Sequence, residues 1–140
     1  MPDRQQLIDA LNLDLAQELA AIIQYFWHYV MATGLESTGT RGTFRRFYLT
    51  EMRHAEMLAE RLNFLGGVPT VTPLPIAVGG DLTRMIQDDL AAERRAIELY
   101  KEHIRLADQV GDPGTRQMLE QILNDEYEHA SEWEHALGLV

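Results

Sequence analysis

Apolar residues recur along the chain at spacings of three and four, the period of an amphipathic helix, in four long stretches set apart by small clusters of Gly and Pro. The first stretch opens at Asp3, a helix-capping residue type, and runs to about residue 33, where Gly34 follows. The second covers about 41–65 and stops at Gly66-Gly67. The third, about 81–110, opens at Asp81 after Gly79-Gly80 and closes at Gly111. The fourth, about 113–137, begins at Asp112-Pro113, a cap followed by a proline suited to the first helical position, and ends at Gly138. All four stretches are predicted to be α-helices.

The connections between them are unequal. Short links join the first helix to the second and the third to the fourth, so each pair is expected to form an antiparallel hairpin. Between the hairpins lies a crossover, 66–80, carrying Pro69, Pro73 and Pro75. An extended segment of this length reaches about 50 Å, whereas a 25-residue helix is about 37 Å long. The crossover can therefore traverse the whole bundle and start the third helix beside the second, pointing the same way. The expectation is one all-α domain over residues 1–140: a four-helix bundle of two antiparallel hairpins joined by a long crossover.

Ionisable residues interrupt the apolar stripes of these helices. On the first helix Glu18 falls among Leu7, Leu11, Tyr25 and Tyr29, and on the third Glu93 falls among Leu82, Ile86, Ile97, Tyr100 and Ile104. On the second, Glu51 and His54 sit among Phe44, Phe47, Tyr48, Leu58 and Leu62; on the fourth, Glu126 and His129 sit among Met118, Ile122, Trp133 and Ala136. Burying carboxylates costs several kcal/mol each unless they are paired, coordinated or protonated. No arginine shares these faces. Two divalent cations would balance four carboxylates, and each Glu-x-x-His places its two side chains on adjacent turns of one face.

An internal repeat strengthens this reading. Glu18 and Glu93, Tyr25 and Tyr100, Glu51 and Glu126, and His54 and His129 all stand 75 positions apart, as do Asp14 and Asp89, Leu15 and Leu90, and Ile22 and Ile97. The two hairpins read as copies about an approximate two-fold axis. A Glu from each of two helices with Glu-x-x-His from each of the other two is a dimetal carboxylate ligand set.

Composition narrows the field. The chain has no cysteine, which excludes disulfides, thiolate metal sites and a thiol nucleophile. Its 12 Lys and Arg against 22 Asp and Glu give a net charge of −10, with no basic cluster to bind nucleic acid. No apolar run approaches the roughly 18 residues of a membrane span, and Met1-Pro2-Asp3-Arg4 does not open a signal peptide, so a cytoplasmic location is expected. His28, His103 and His135 have no ligand-type partners in the sequence and are expected to face solvent.

At Glu18-Leu-Ala-Ala-Ile-Ile-Gln-Tyr25-Phe, Glu51-Met-Arg-His54-Ala, Asp89-Leu-Ala-Ala-Glu93 and Asp125-Glu126-Tyr-Glu-His129 the chain resembles the ferritin-like superfamily, and within it the bacterioferritins. The resemblance spans essentially the whole chain. It implies a ferritin-like bundle that binds two iron ions, oxidises Fe²⁺ with O₂ or peroxide, and stores ferric mineral in a cage built from homodimers. Glu18, Glu51, His54, Glu93, Glu126 and His129 would be the ferroxidase ligands, Glu51 and Glu126 bridging. Tyr25 would hydrogen-bond a ligand or give up an electron, the alternative being a packed core tyrosine. Met52 would hold haem b with its mate across a dimer, the alternative being interface packing. For the dimer face, a second apolar stripe on the first helix is available: Ile8, Leu15, Leu19, Ile22, Phe26 and Val30.

Three features depart from the bacterioferritin pattern. The sequence ends eleven residues after His129, without the family's short fifth helix, so a 12-subunit shell or a bare dimer stands beside the 24-subunit cage. Tyr100 gives both halves a tyrosine, as in rubrerythrins, yet Ala96 and Ile97 stand where those proteins carry a further Glu. The ligand set also suits manganese. The readings that compete with storage are a non-storing di-iron or di-manganese peroxidase or oxidase acting as a small dimer, and a haem-carrying or structural dimer.

Overall fold

The computed structural model describes residues 1–140 and is all-α. Helix α1 spans Arg4–Met31, α2 Arg41–Phe64, α3 Leu82–Val110 and α4 Pro113–Ala136, with a single 3₁₀ turn at Leu35–Ser37. Three of the four starts carry side-chain caps. Asp3 accepts from the Gln6 amide while Gln6 reaches back to the Asp3 amide; Asp81 caps Arg84, and Asp112 caps Thr115 with Pro113 just inside the helix. Each cap satisfies amides that a helix start leaves unpaired. Helix α1 stops two residues earlier than the sequence pattern extends, because Ala32 is already extended. The α3–α4 link turns at Gly111, whose φ of 84° is left-handed.

The helices pair as α1 with α2 and α3 with α4, and the hairpins meet chiefly along α1 and α3. Between α2 and α4, Arg61 donates to Thr115 Oγ1 at 2.8 Å and to Asp112 Oδ1 at 2.9 Å. The start of α3 differs from the sequence expectation in its neighbour. Its direction is parallel to α2, but it packs against α1 and lies diagonal to α2. The reason is where the crossover is tied. The Asn12 amide donates to Val68 O and its oxygen accepts from Thr70 N; Leu74 N donates to Ala16 O, and Ala77 N to Gln24 Oε1. The strand-like segment thus climbs α1 and delivers α3 to its flank. Gly67 permits the close start, since a Cβ there would lie 2.7 Å from Ile8 Cγ2.

One core joins all four helices, built from residues such as Leu7, Leu11, Phe44, Leu58, Leu119, Ile122 and Trp133. Ile8 and Leu15, read from sequence as part of an outward stripe, are buried in it. The outward apolar face of α1 is instead Ile23, Phe26 and Val30, with Leu19 and Ile22 half-buried. Of the inward residues assigned to α4, Ala136 is exposed at the helix end. No helix is long and apolar enough to cross a membrane.

Candidate metal centre

Midway along the bundle, Glu18, Glu51, His54, Glu93, Glu126 and His129 are all buried and converge on one point. Their atoms fall into two overlapping groups. Glu18, Glu51, His54 and Glu126 form one, Glu51, Glu93, Glu126 and His129 the other, with one ligating atom of each residue within 4.8 Å of those of its group. Glu51 and Glu126 belong to both. His54 Nδ1 lies 3.1 Å from Glu126, 3.3 Å from Glu51 and 3.6 Å from Glu18. His129 Nδ1 lies 3.5 Å from Glu51 and from Glu93, and 4.0 Å from Glu126.

Buried polar atoms are almost always hydrogen-bonded. Here eight buried side-chain atoms are not, and six of them are one atom from each of these residues: Glu18 Oε2, Glu51 Oε1, His54 Nδ1, Glu93 Oε2, Glu126 Oε1 and His129 Nδ1. Five of the six face one another across the cluster, and Glu93 meets it through its other oxygen, Oε1, 3.5 Å from His129 Nδ1. The electrostatics agree. Burial, then the charges of Glu18 and Glu93, hold Glu51 well above the usual carboxylate range. Burial, then Glu51 and Glu93, do the same to Glu126. Burial disfavours charge on His54, but the pull of Glu126 and Glu18 outweighs it and pushes the imidazole up to about 11. For Glu93, burial is outweighed by His129 and Glu126, and its acidity rises. Protons therefore substitute for missing positive charge, and divalent cations would replace them.

The surrounding groups are arranged crosswise between α1 and α3. The Tyr25 hydroxyl donates to Glu93 Oε1 at 2.8 Å, and that of Tyr100 donates to Glu18 Oε1 at 2.6 Å. Burial and adjacent carboxylates push both phenols well above their ordinary range, so both stay protonated donors. Tyr25 also accepts from Trp133 Nε1 at 2.9 Å.

Two histidines depart from the sequence expectation. His28 and His103 are buried, not solvent-facing. His28 Nδ1 pairs with Asp89 Oδ2 at 2.9 Å, and His103 Nδ1 with Asp14 Oδ1 at 2.8 Å. Gln24 adds a second hydrogen bond to Asp89. Burial pushes Asp14 and Asp89 up to about 6, against the opposing pull of His103 and His28. The signal was in the sequence: His28 and His103 stand 75 positions apart, as do the aspartates they bond. Only His135 is exposed. Replacing Asp89 with Ala should cost about 3–5 kcal/mol, since it strands a fully buried imidazole and a buried amide. Chemical denaturation would measure the loss.

A cavity of about 290 Å³ opens beside the cluster, between α1, α3 and the crossover. The four glutamates line it together with Gln24 and Arg95, and Ala20, Ala21, Ala92 and Ala96 contribute small side chains to its walls. Gln17 lines it with an unpaired, buried amide nitrogen. Met52 lies away from this cluster, 48% exposed on α2. It sits one turn beyond Tyr48, whose ring packs on Tyr29 of α1, and so lies near the groove between the two helices. Arg53, its neighbour, pairs with Asp125 at 3.0 Å.

A model of the ferritin-like domain family matches residues 8–140. The chain is similar to a bacterioferritin of Brucella melitensis, 31% identical over 100% of this chain and 88% of that protein. It is also similar to a nutrient stress-induced DNA-binding protein of a Nostoc species, 32% identical over 93% of this chain and 76% of that one. Among solved structures, a ferritin-like, di-iron-carboxylate protein from Bacillus anthracis superposes with a TM-score of 0.94 at 30% identity, covering 98% of this chain and 99% of the other.

Proposed function

The chain belongs to the ferritin-like domain family, and from that premise we propose that it is a bacterioferritin-like ferroxidase that takes up and oxidises Fe²⁺ and stores the product. The observation that carries this is the set of six buried, unpartnered atoms, one from each of the converging residues Glu18, Glu51, His54, Glu93, Glu126 and His129. They fit two metal ions: four carboxylates and two imidazoles suit both redox states of iron. Glu51 and Glu126 would be the ligands shared by both ions, because only they belong to both groups. Glu18 with His54, and Glu93 with His129, complete the two positions.

Two Fe²⁺ ions give up one electron each to the oxidant, reducing O₂ to peroxide or peroxide to water with two protons. The residues around the pair do the rest. Tyr25 and Tyr100 each hold one oxygen of a terminal glutamate and leave its other oxygen without a protein partner. Tyr25, buried and touching both Glu93 and Trp133, would give up an electron where the oxidant takes more than the two that the Fe²⁺ pair supplies. The cavity beside the cluster is wide enough for a small oxidant, and its small side chains leave the approach open.

Storage needs an assembly, and the exposed Ile23, Phe26 and Val30 on α1 with Leu49 and Met52 on α2 supply apolar area for a homodimer, the unit of a cage in the cytoplasm. With its mate across that dimer, Met52 is assigned as a haem b ligand. Replacing Met52 with Leu should remove a haem Soret band and leave the rate of Fe²⁺ oxidation unchanged. A retained band would reject the haem assignment. Neither the −10 charge nor any basic cluster supports nucleic-acid binding.

The test of storage is aerobic Fe²⁺ loading followed by size-exclusion chromatography, with iron and protein quantified in one peak. Iron far above two per chain in a large particle is the expected result. A plateau at two per chain in a small dimer would favour the second reading, a non-storing di-iron or di-manganese oxidase or peroxidase. The hydrogen bond from Tyr100, a residue shared in position with rubrerythrins, speaks for that reading.

A further inference from the structure

The repeat that relates the two halves of the centre breaks behind its two histidines. His54 Nε2 donates to Asp125 Oδ2 at 2.7 Å, and Arg53 holds the same oxygen at 3.0 Å. The counterpart of Asp125, 75 positions earlier, is Thr50. Its hydroxyl turns back to donate to Arg46 O at 3.1 Å, and the carboxylates paired with His129, those of Glu51, Glu93 and Glu126, all face its Nδ1, so none stands behind the ring as Asp125 does behind His54. The His129 ring is placed instead by stacking on Phe47, with centroids 3.8 Å apart and planes 21° off parallel. Stacking fixes the plane of a ring but neither its tautomer nor its slide within that plane. Each terminal glutamate has its tyrosine, and of the two only Tyr25 takes a further hydrogen bond, from Trp133 Nε1.

A carboxylate on the outer nitrogen of a metal-bound histidine fixes the tautomer, orients the ring and raises its basicity; losing one typically weakens metal binding 10–100-fold. We infer that the two metal positions are unequal: the position of Glu18, Glu51, His54 and Glu126 is the tighter, and that of Glu51, Glu93, Glu126 and His129 is the weaker, exchangeable one. Asp125 acts as a positioning residue through His54. The inference rests on the dimetal reading above and assigns an order to it. The ion beside His54 stays resident, and the position beside His129 fills last and empties first.

The test uses Co²⁺ alone, added anaerobically at one equivalent per chain, with anomalous scattering from crystals locating the ion. Cobalt beside His54, with the His129 position filling only in excess, is the expected result. Equal occupancy of the two positions, or a preference for His129, would overturn it. Thr50→Asp gives His129 a carboxylate on a helix surface where folding is not at stake. It should tighten the second equivalent roughly 10–100-fold and spread a single equivalent over both positions. An unchanged occupancy ratio in that variant would equally reject the role of the outer carboxylate. Cobalt at neither position would instead reject the dimetal reading itself.

Discussion

Replacing Glu51 with Gln is expected to slow Fe²⁺ oxidation by about 100-fold or more while making the metal-free chain more stable. The first effect exceeds the roughly 10–100-fold cost of losing an outer-sphere partner, because Glu51 contributes to both metal positions. The second follows from burial. Held far above its ordinary range by desolvation and by Glu18 and Glu93, Glu51 destabilises the fold as it ionises, so its contribution worsens as pH rises above its unfolded value. The amide is neutral, fills the same space, and brings donors to an oxygen-rich cluster. Relieving one unsatisfied buried group is worth about 1–3 kcal/mol, or roughly 4–10 °C in Tm for a chain of this size. With saturating Mn²⁺ the order should reverse: at a hundredfold excess over Kd the native chain gains about 2.7 kcal/mol, and the variant far less. Calorimetry with chelator and then with Mn²⁺ would show the crossing of the two Tm values. A variant less stable than the native chain under chelator would contradict the charge account of the cluster.

Metal binding should also be steeply pH-dependent. In the metal-free chain, burial and the charges of Glu18 and Glu93 raise Glu51, burial and the charges of Glu51 and Glu93 raise Glu126, and His54 is pushed up to about 11. At neutral pH His54 therefore holds a proton, and the two raised glutamates lean toward their protonated forms, so that cations must displace protons to bind. The sign is therefore release of protons on binding and tighter binding at higher pH. Each displaced proton changes apparent affinity about tenfold per pH unit. Adding Mn²⁺ to weakly buffered protein with an indicator dye would count the protons. No release at neutral pH would mean that the glutamates are ionised before metal arrives, and the pH dependence would vanish with it.

The architecture was legible because three signals agreed: helical periodicity, aspartate caps, and a crossover long enough to traverse the bundle. Convergence of Glu18, Glu51, His54, Glu93, Glu126 and His129 was legible from the 75-residue offset, since a repeat copies a whole face and not one residue. What escaped was set by contacts between elements. His28 and His103 carry the same offset but lack a neighbour of ligand type on their own helix, and the aspartates that bond them lie on the opposite hairpin. The packing of α3 on α1 depends on Asn12 and Gln24, two polar residues that periodicity reads as ordinary surface. Ile8 and Leu15 lie on the side of α1 that joins core to surface, where a wheel cannot say which side wins. Thr50 opposite Asp125 was readable as a break in the repeat, but its meaning needed the hydrogen bond from His54.

The central claim is a ferroxidase centre of two iron positions in each chain, and its most direct measurement is rapid-mixing Fe²⁺ oxidation with O₂ or peroxide at increasing Fe²⁺ per chain. A fast phase that saturates at two Fe²⁺ per chain in the native protein, and is absent from Glu51→Gln, is the predicted result. A fast phase that survives in the variant, saturates at another ratio, or never forms would contradict it.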